Sequence, residues 1–166
     1  MRKLTDVLLL RAGGGTASRQ FGAIPYTVVD GQVVFLLVTS RGTGRWIFPK
    51  GDPMEGLAPF ETAAQEALEE AGIEGEIDPV PIGTYRAFKT LPFRRKIMNV
   101  EMYPLRVTQQ SDDWPEKGRR HRHWAILPEV KRLLSDKSLA ELAVRLNRRL
   151  RAKGLPVYPP IAHISR

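Results

Sequence analysis

Cysteine is absent from the 166-residue chain, which excludes disulfides, thiolate metal sites and cysteine nucleophiles and accords with a cytoplasmic location. No apolar run approaches the length of a bilayer span, so no membrane-embedded role is expected. Met1-Arg2-Lys3 followed by Leu8-Leu9-Leu10 has the outline of a secretory leader. Asp6 interrupts its apolar run, however, and Gly13-Gly14-Gly15 offers no small-x-small cleavage context. No serine sits in a Gly-x-Ser-x-Gly elbow, and the glycine-rich segments lack the Lys-Ser/Thr ending of a P-loop.

What is present fits one globular domain: 42% hydrophobic and 27% charged residues, with length enough to bury a core. A formal charge of +8 and 26 basic against 18 acidic residues favour anionic partners through long-range attraction. The cations are grouped. Arg41 and Arg45 form one group, Arg86, Lys89, Arg94, Arg95 and Lys96 a second, and Lys117, Arg119, Arg120 and Arg122 a third. The first two groups are candidates to ring a phosphate-rich ligand.

Along the chain, residues 1–20 end in Gly13-Gly14-Gly15-Thr16-Ala17-Ser18 and read as a flexible arm, with an edge strand at Val7 to Leu10. Order is expected from Phe21. Ile24 to Val29 and Val33 to Thr39 are β-rich runs around Asp30-Gly31, a tight-hairpin signal because both residues tolerate positive φ. Trp46 to Phe48, Glu76 to Val80, Ile82 to Lys89 and Lys96 to Val107 are further strand candidates in a mixed sheet, and alternation suggests another from Arg119 to Trp124. Pro128 to Leu134 reads as a short helix. Leu139, Leu142, Ala143, Leu146 and Leu150 then form one helical apolar stripe, ended by Gly154 and the prolines that follow. The arginines of its other face suit a helix C-terminus and a solvated surface better than RNA, since no aromatic is interleaved with them. His121, His123 and His163 are read as packing residues.

The chemistry is concentrated between Gly51 and Ile73. Pro59 suits a first helical turn and Gly72 a left-handed C-terminal position, which predicts a helix from about Pro59 to Ala71. Glu66 and Glu70 stand one turn apart on it, with Glu69 beside them, while Phe60, Ala64, Ala67 and Ala71, with Ala63 beside them, make a narrow arc suited to lying against a sheet. Unpaired, such carboxylates repel. A hard divalent cation that keeps several waters and bridges carboxylates to phosphate oxygens would satisfy them.

In register, Gly51, Glu66, Glu69, Glu70, Gly72 and Ile73 resemble the Nudix box, Gly-x5-Glu-x7-Arg-Glu-U-x-Glu-Glu-x-Gly-U. Leu57 replaces the first Glu, Gln65 the Arg, and Ala67 the usual larger aliphatic. The lead-in Trp46-Ile47-Phe48-Pro49-Lys50-Gly51 resembles that of the diphosphoinositol and diadenosine polyphosphate branch, and the likeness extends loosely over Phe21 to Leu150. The resemblance implies an α/β (α+β) fold, a Nudix-type α/β/α sandwich spanning residues 21–153 with a C-terminal tail at 154–166. It implies Mg2+- or Mn2+-dependent hydrolysis of a phosphoanhydride in a phosphorylated small molecule. Glu66 and Glu70 are then the principal metal ligands and Glu69 a ligand or the base. Gly51 and, from a later loop, Glu116 rather than Glu101 complete the set. Arg41, Arg45, Lys50, Arg86, Lys89, Arg94 and Arg95 are the candidate phosphate-binding residues. The altered Leu57 and Gln65 keep open a non-catalytic ligand sensor, and the basic surface keeps open an RNA 5′-pyrophosphohydrolase, nucleic acid being the less favoured partner.

Overall fold

Residues 17–162 and 164 are described by a computed structural model; the expected strand at Val7 to Leu10, most of the N-terminal arm and His163 lie outside the described residues. The hairpin predicted around Asp30-Gly31 joins β1 (Ser18–Val29) to β2 (Gln32–Thr39) in antiparallel register, with Asp30 and Gly31 at φ of 50° and 73°. Order starts at Ser18, ahead of the expected Phe21, because residues 18–21 already pair with a later strand. Next come β3 (Trp46–Ile47), β4 (Lys50–Gly51), α1 (Pro59–Ala71), β5 (Ile73–Ile77), β6 (Gly83–Leu91), β7 (Arg94–Gln110), β8 (Arg122–Ile126), α2 (Leu127–Leu133) and α3 (Lys137–Ala152).

The strand expected at Glu76 to Val80 begins instead at Ile73. Gly72 leaves α1 in the left-handed conformation and the chain enters β5 directly, whereas Pro79 and Pro81 cannot donate to a ladder and Asp78 turns back to accept the Val80 N–H. Likewise the strand expected from Arg119 begins at Arg122, the residues before it forming a turn.

The strands form a mixed eight-stranded sheet. β1 runs parallel to β7, and β7 is long enough to pair β6 with one half of its other edge and β5 with the other half, both antiparallel. Each face of the sheet is covered, which makes the expected α/β/α sandwich. Ala63, Ala67 and Ala71 of α1 pack on Phe21, Ala23, Leu36 and Val38, while Leu139, Leu142 and Leu146 of α3 pack on Ile24, Phe35, Leu37 and Met102. Small alanine side chains let α1 lie close to the strands. The tail also packs: Arg106 covers the Tyr158 ring at 4.4 Å, and Ile161 and Ile164 rest on the α1-side core. β4 pairs antiparallel with β1, setting Gly51 opposite Phe21 and Lys50 opposite Gly22, and so holds the start of the box against the sheet.

Candidate active site

Helix α1 ends where its sequence says it should. Pro59 opens it, the Glu61 carboxylate accepts the Ala58 N–H at 2.8 Å, and the Gly72 N–H donates to the Leu68 carbonyl. The last turn carries no basic residue, yet its carbonyls are satisfied from a distant loop. Trp114 Nε1 donates to the Glu70 carbonyl at 3.1 Å, Arg122 Nη1 to that of Ala71 at 2.8 Å, and the Glu116 N–H to that of Glu69 at 3.2 Å. Arg122 also stacks on Trp114 at 3.9 Å. This loop is what brings Glu116 to the glutamates of α1.

The Glu66 carboxylate lies directly against Gly51, so a Cβ at the opening glycine of the box would displace that carboxylate from its place. Glu69 Oε1 accepts a hydrogen bond from Gln65 Nε2 at 3.1 Å, so the amide that replaces the expected Arg reaches the same helix face. Glu70 is buried. Its Oε1 meets Arg120 Nη2 at 3.1 Å, while its Oε2 is enclosed and accepts no hydrogen bond among the described residues. Arg120, itself buried, also donates from Nε to Glu116 Oε2 at 3.1 Å and from Nη1 to the Thr39 carbonyl at 2.9 Å. Arg41 Nη1 stands 3.4 Å from the other Glu116 oxygen.

Crowded, half-dry carboxylates hold their protons more tightly. Burial pushes Glu70 up to about 8, with Glu66 and Glu116 adding to the effect and Arg120 opposing it. Burial, followed by the neighbouring Glu69, raises Glu66 as well. On the β4 side, burial draws the Lys50 ammonium below its ordinary value, against the pull of Glu70 and Asp52. Lys50 Nζ donates to Gln20 Oε1 at 3.0 Å, and Gln20 in turn donates to Asp52.

The expected metal-ligand set Glu66, Glu69, Glu70, Gly51 and Glu116 is therefore brought together but not as a ready cage. Among the described residues no three acidic or histidine side chains converge to enclose a cation, and arginines occupy Glu116 and one oxygen of Glu70. The donor chemistry still fits magnesium, which keeps most of its waters and needs few protein oxygens. Glu70 Oε2 is a buried carboxyl oxygen with no well-aligned hydrogen-bond donor among the described residues, and Glu66 lies one turn away, close enough to interact with it. Glu101, the rejected alternative, is tied to Arg19 and Tyr103.

The phosphate-binding candidates divide. Arg41 and Lys50 sit at the cluster, and Lys89 is close enough to Lys50 to depress it further. Arg45 is exposed in the loop before β3, its backbone N–H held by Ser40 and Thr43. Arg86, Arg94 and Arg95 are exposed on the β6–β7 hairpin, where Arg95 covers the Phe88 ring at 4.5 Å. Arg120, Trp114 and Arg122 were visible in the sequence only as members of an arginine-rich run and a tryptophan; nothing local marks them as partners of α1. His123 bonds Glu129 at 2.8 Å and packs on Trp46, a structural role as expected.

Residues 18–144 match the NUDIX domain family. Nudix hydrolase 12, mitochondrial, of Arabidopsis thaliana is 32% identical over 132 residues, which are 66% of this chain and 62% of that protein. Nudix hydrolase 4 of the same plant is 31% identical over 124 residues, 69% of this chain and 58% of that protein. The chain thus spans less than two thirds of the length of these relatives. Among solved structures, the C. elegans Ap4A hydrolase superposes with a TM-score of 0.60 at 20% identity, covering 81% of this chain and 99% of that one. The NUDIX domain of Shewanella oneidensis NrtR, complexed with ADP ribose, gives 0.65 at 16% identity, covering 89% and 99%. At these identities the superpositions establish the fold.

Proposed function

Because the chain belongs to the NUDIX domain family, we propose that it hydrolyses a phosphoanhydride bond in a polyphosphate compound of the diadenosine polyphosphate or diphosphoinositol phosphate type. The observation that carries this reading is the meeting of the α1 glutamates with Lys50 and Arg41 beside the cation-rich β6–β7 hairpin. Glu66 and Glu70 would hold Mg2+ or Mn2+, with Gly51 beside them; the ion would supply positive charge to the phosphate oxygens and acidify water. Lys50 and Arg41 draw the phosphates toward the carboxylates. Glu69, with no ion pair among the described residues and oriented by Gln65, is the candidate to take the proton of the attacking water. The long β6–β7 hairpin extends this cationic surface away from the cluster and suits a substrate bearing a chain of phosphates.

The test is incubation of the full chain with Mg2+ and a panel of diadenosine polyphosphates, diphosphoinositol phosphates, ADP-ribose, nucleoside triphosphates and triphosphorylated RNA. Product from the first two classes is expected in excess. Predominant cleavage of triphosphorylated RNA would replace the substrate assignment, and no product from any member would leave a ligand-binding protein.

A further inference from the structure

Arg120 is placed unlike a substrate-binding residue. Its side chain is 8% exposed, and all three of its nitrogens are engaged inward, on Glu70, Glu116 and the Thr39 carbonyl. A planar guanidinium spreads such a three-way fork over three nitrogens, whereas an ammonium offers the same charge from a single point. With Arg41 at the other Glu116 oxygen, two of the four carboxylates in the cluster are countered by arginine, whereas Glu66 and Glu69 have no ion pair among the described residues. The enclosed Glu70 Oε2, beside Glu66, is left with no well-aligned donor among the described residues.

We propose that Arg120 is a resident cation of the carboxylate cluster: it fixes Glu70 and Glu116 before any divalent ion arrives and takes the place of one such ion. The inference rests on the divalent-ion reading above. A buried carboxylate that stays ionised must be countered by some cation, and here the chain itself supplies part of the charge, leaving room for fewer divalent ions than four carboxylates would otherwise attract. Arg120 thereby sets how many ions the site takes up and positions Glu70. It does not touch the reacting atoms. A purely architectural arginine would hold the loop in place without altering how many ions bind.

Ion uptake without substrate separates these roles. EDTA-stripped full-length protein is titrated with Mn2+ while free Mn2+ is followed by electron paramagnetic resonance, for wild type, Arg120→Met, Arg120→Gln and Arg120→Lys. Circular dichroism confirms folding; Arg120→Gln, neutral but still able to donate a hydrogen bond, carries the test if Arg120→Met fails to fold. Wild type is expected to bind a single Mn2+, and the neutral variants to bind one more, or the same ion about tenfold tighter. Arg120→Lys, which keeps the charge, should retain the wild-type count. Unchanged count and affinity in the neutral variants would overturn the proposal, as would an extra ion in Arg120→Lys. If neither wild type nor any variant takes up Mn2+, the divalent-ion reading itself fails and this inference with it.

Discussion

Glu70 is buried beside Glu66 and Glu116 and countered by one arginine, and its two oxygens face different fates, one on Arg120 and one with no well-aligned donor among the described residues. Glu70→Gln keeps the size and helix propensity while removing the charge that a divalent ion would meet. Steady-state turnover on the best substrate should fall by about two orders of magnitude with the fold intact; normal turnover would remove Glu70 from the ligand assignment. The same residue gives metal-free protein a pH signature. Its native value lies near 8 against an ordinary 4.5, so between those limits the folded state keeps a proton that the unfolded chain has released. That contribution to stability is fully present below pH 4.5 and lost as pH rises toward about 8. In EDTA, the wild-type Tm should therefore decline across this window, and Glu70→Gln should flatten the decline. Gln65 poses a milder question. Its amide already holds Glu69, and restoring a charged donor with Gln65→Arg should be tolerated and raise kcat through a stronger hydrogen bond. A collapse of kcat with the fold retained would show that the local network is built around the amide.

Helix α1 cannot present its glutamates unless its last turn is held, and the holding comes from the segment between Ser111 and Arg122. Ser111 donates to the Gly72 carbonyl, Trp114 to Glu70 and Arg122 to Ala71. Trp114→Phe keeps a ring and removes the indole donor, leaving a carbonyl unsatisfied at the residue that matters most. Thermal unfolding should show a loss of about 1 kcal/mol, or roughly 2–4 °C in Tm for a domain of this size, with a parallel fall in kcat; an unchanged Tm would show that this bond is replaced by water. The contrast between helix and clamp explains what was legible in the sequence. Pro59, Gly72 and the spacing of Glu66, Glu69 and Glu70 lie within one local segment, and α1 runs from Pro59 to Ala71 as they predict. The Trp114–Glu70 bond spans 44 residues and the Arg120–Thr39 bond 81, so their partners are set by strand pairing that local pattern does not encode. Glu116 was picked out as an acidic residue in a late loop, and the fold does carry it to α1; its engagement by two arginines follows only from three-dimensional packing. β5 lies ahead of the Glu76 to Val80 alternation because the missing N–H of Pro79 and the Asp78 turn outweigh that pattern.

At the scale of the molecule, the charge of +8 is unevenly spread: no acidic residue stands between Asp78 and Glu101, a stretch that holds Arg86, Lys89, Arg94, Arg95 and Lys96. The β6–β7 register sets Lys89 directly opposite Lys96, an arrangement that costs stability in an isolated sheet. None of the five cations makes an ion pair among the described residues, and Phe93 at the turn is fully exposed. On the proposed function, an anionic ligand would offset that repulsion. Lys89 is within electrostatic reach of Lys50, and Arg95 and Arg94 lie one and two pairs further along the strands toward the turn. A short diphosphate held at Glu66 and Glu70 would be reached by Lys50, and only a longer phosphate chain would extend to the outer arginines. Replacing Arg94 and Arg95 together by alanine should therefore lower kcat/KM about tenfold or more for diadenosine penta- or hexaphosphate, and by less than about threefold for ADP-ribose. The long-substrate reaction should also be the more salt-sensitive in wild type, since attraction over such distances is screened within about 10 Å at 0.1 M salt. Steady-state kinetics of both proteins on both substrates at low and high salt measure the difference. Equal fractional losses on the two substrates would detach the hairpin from phosphate binding and assign its cations to something other than the substrate.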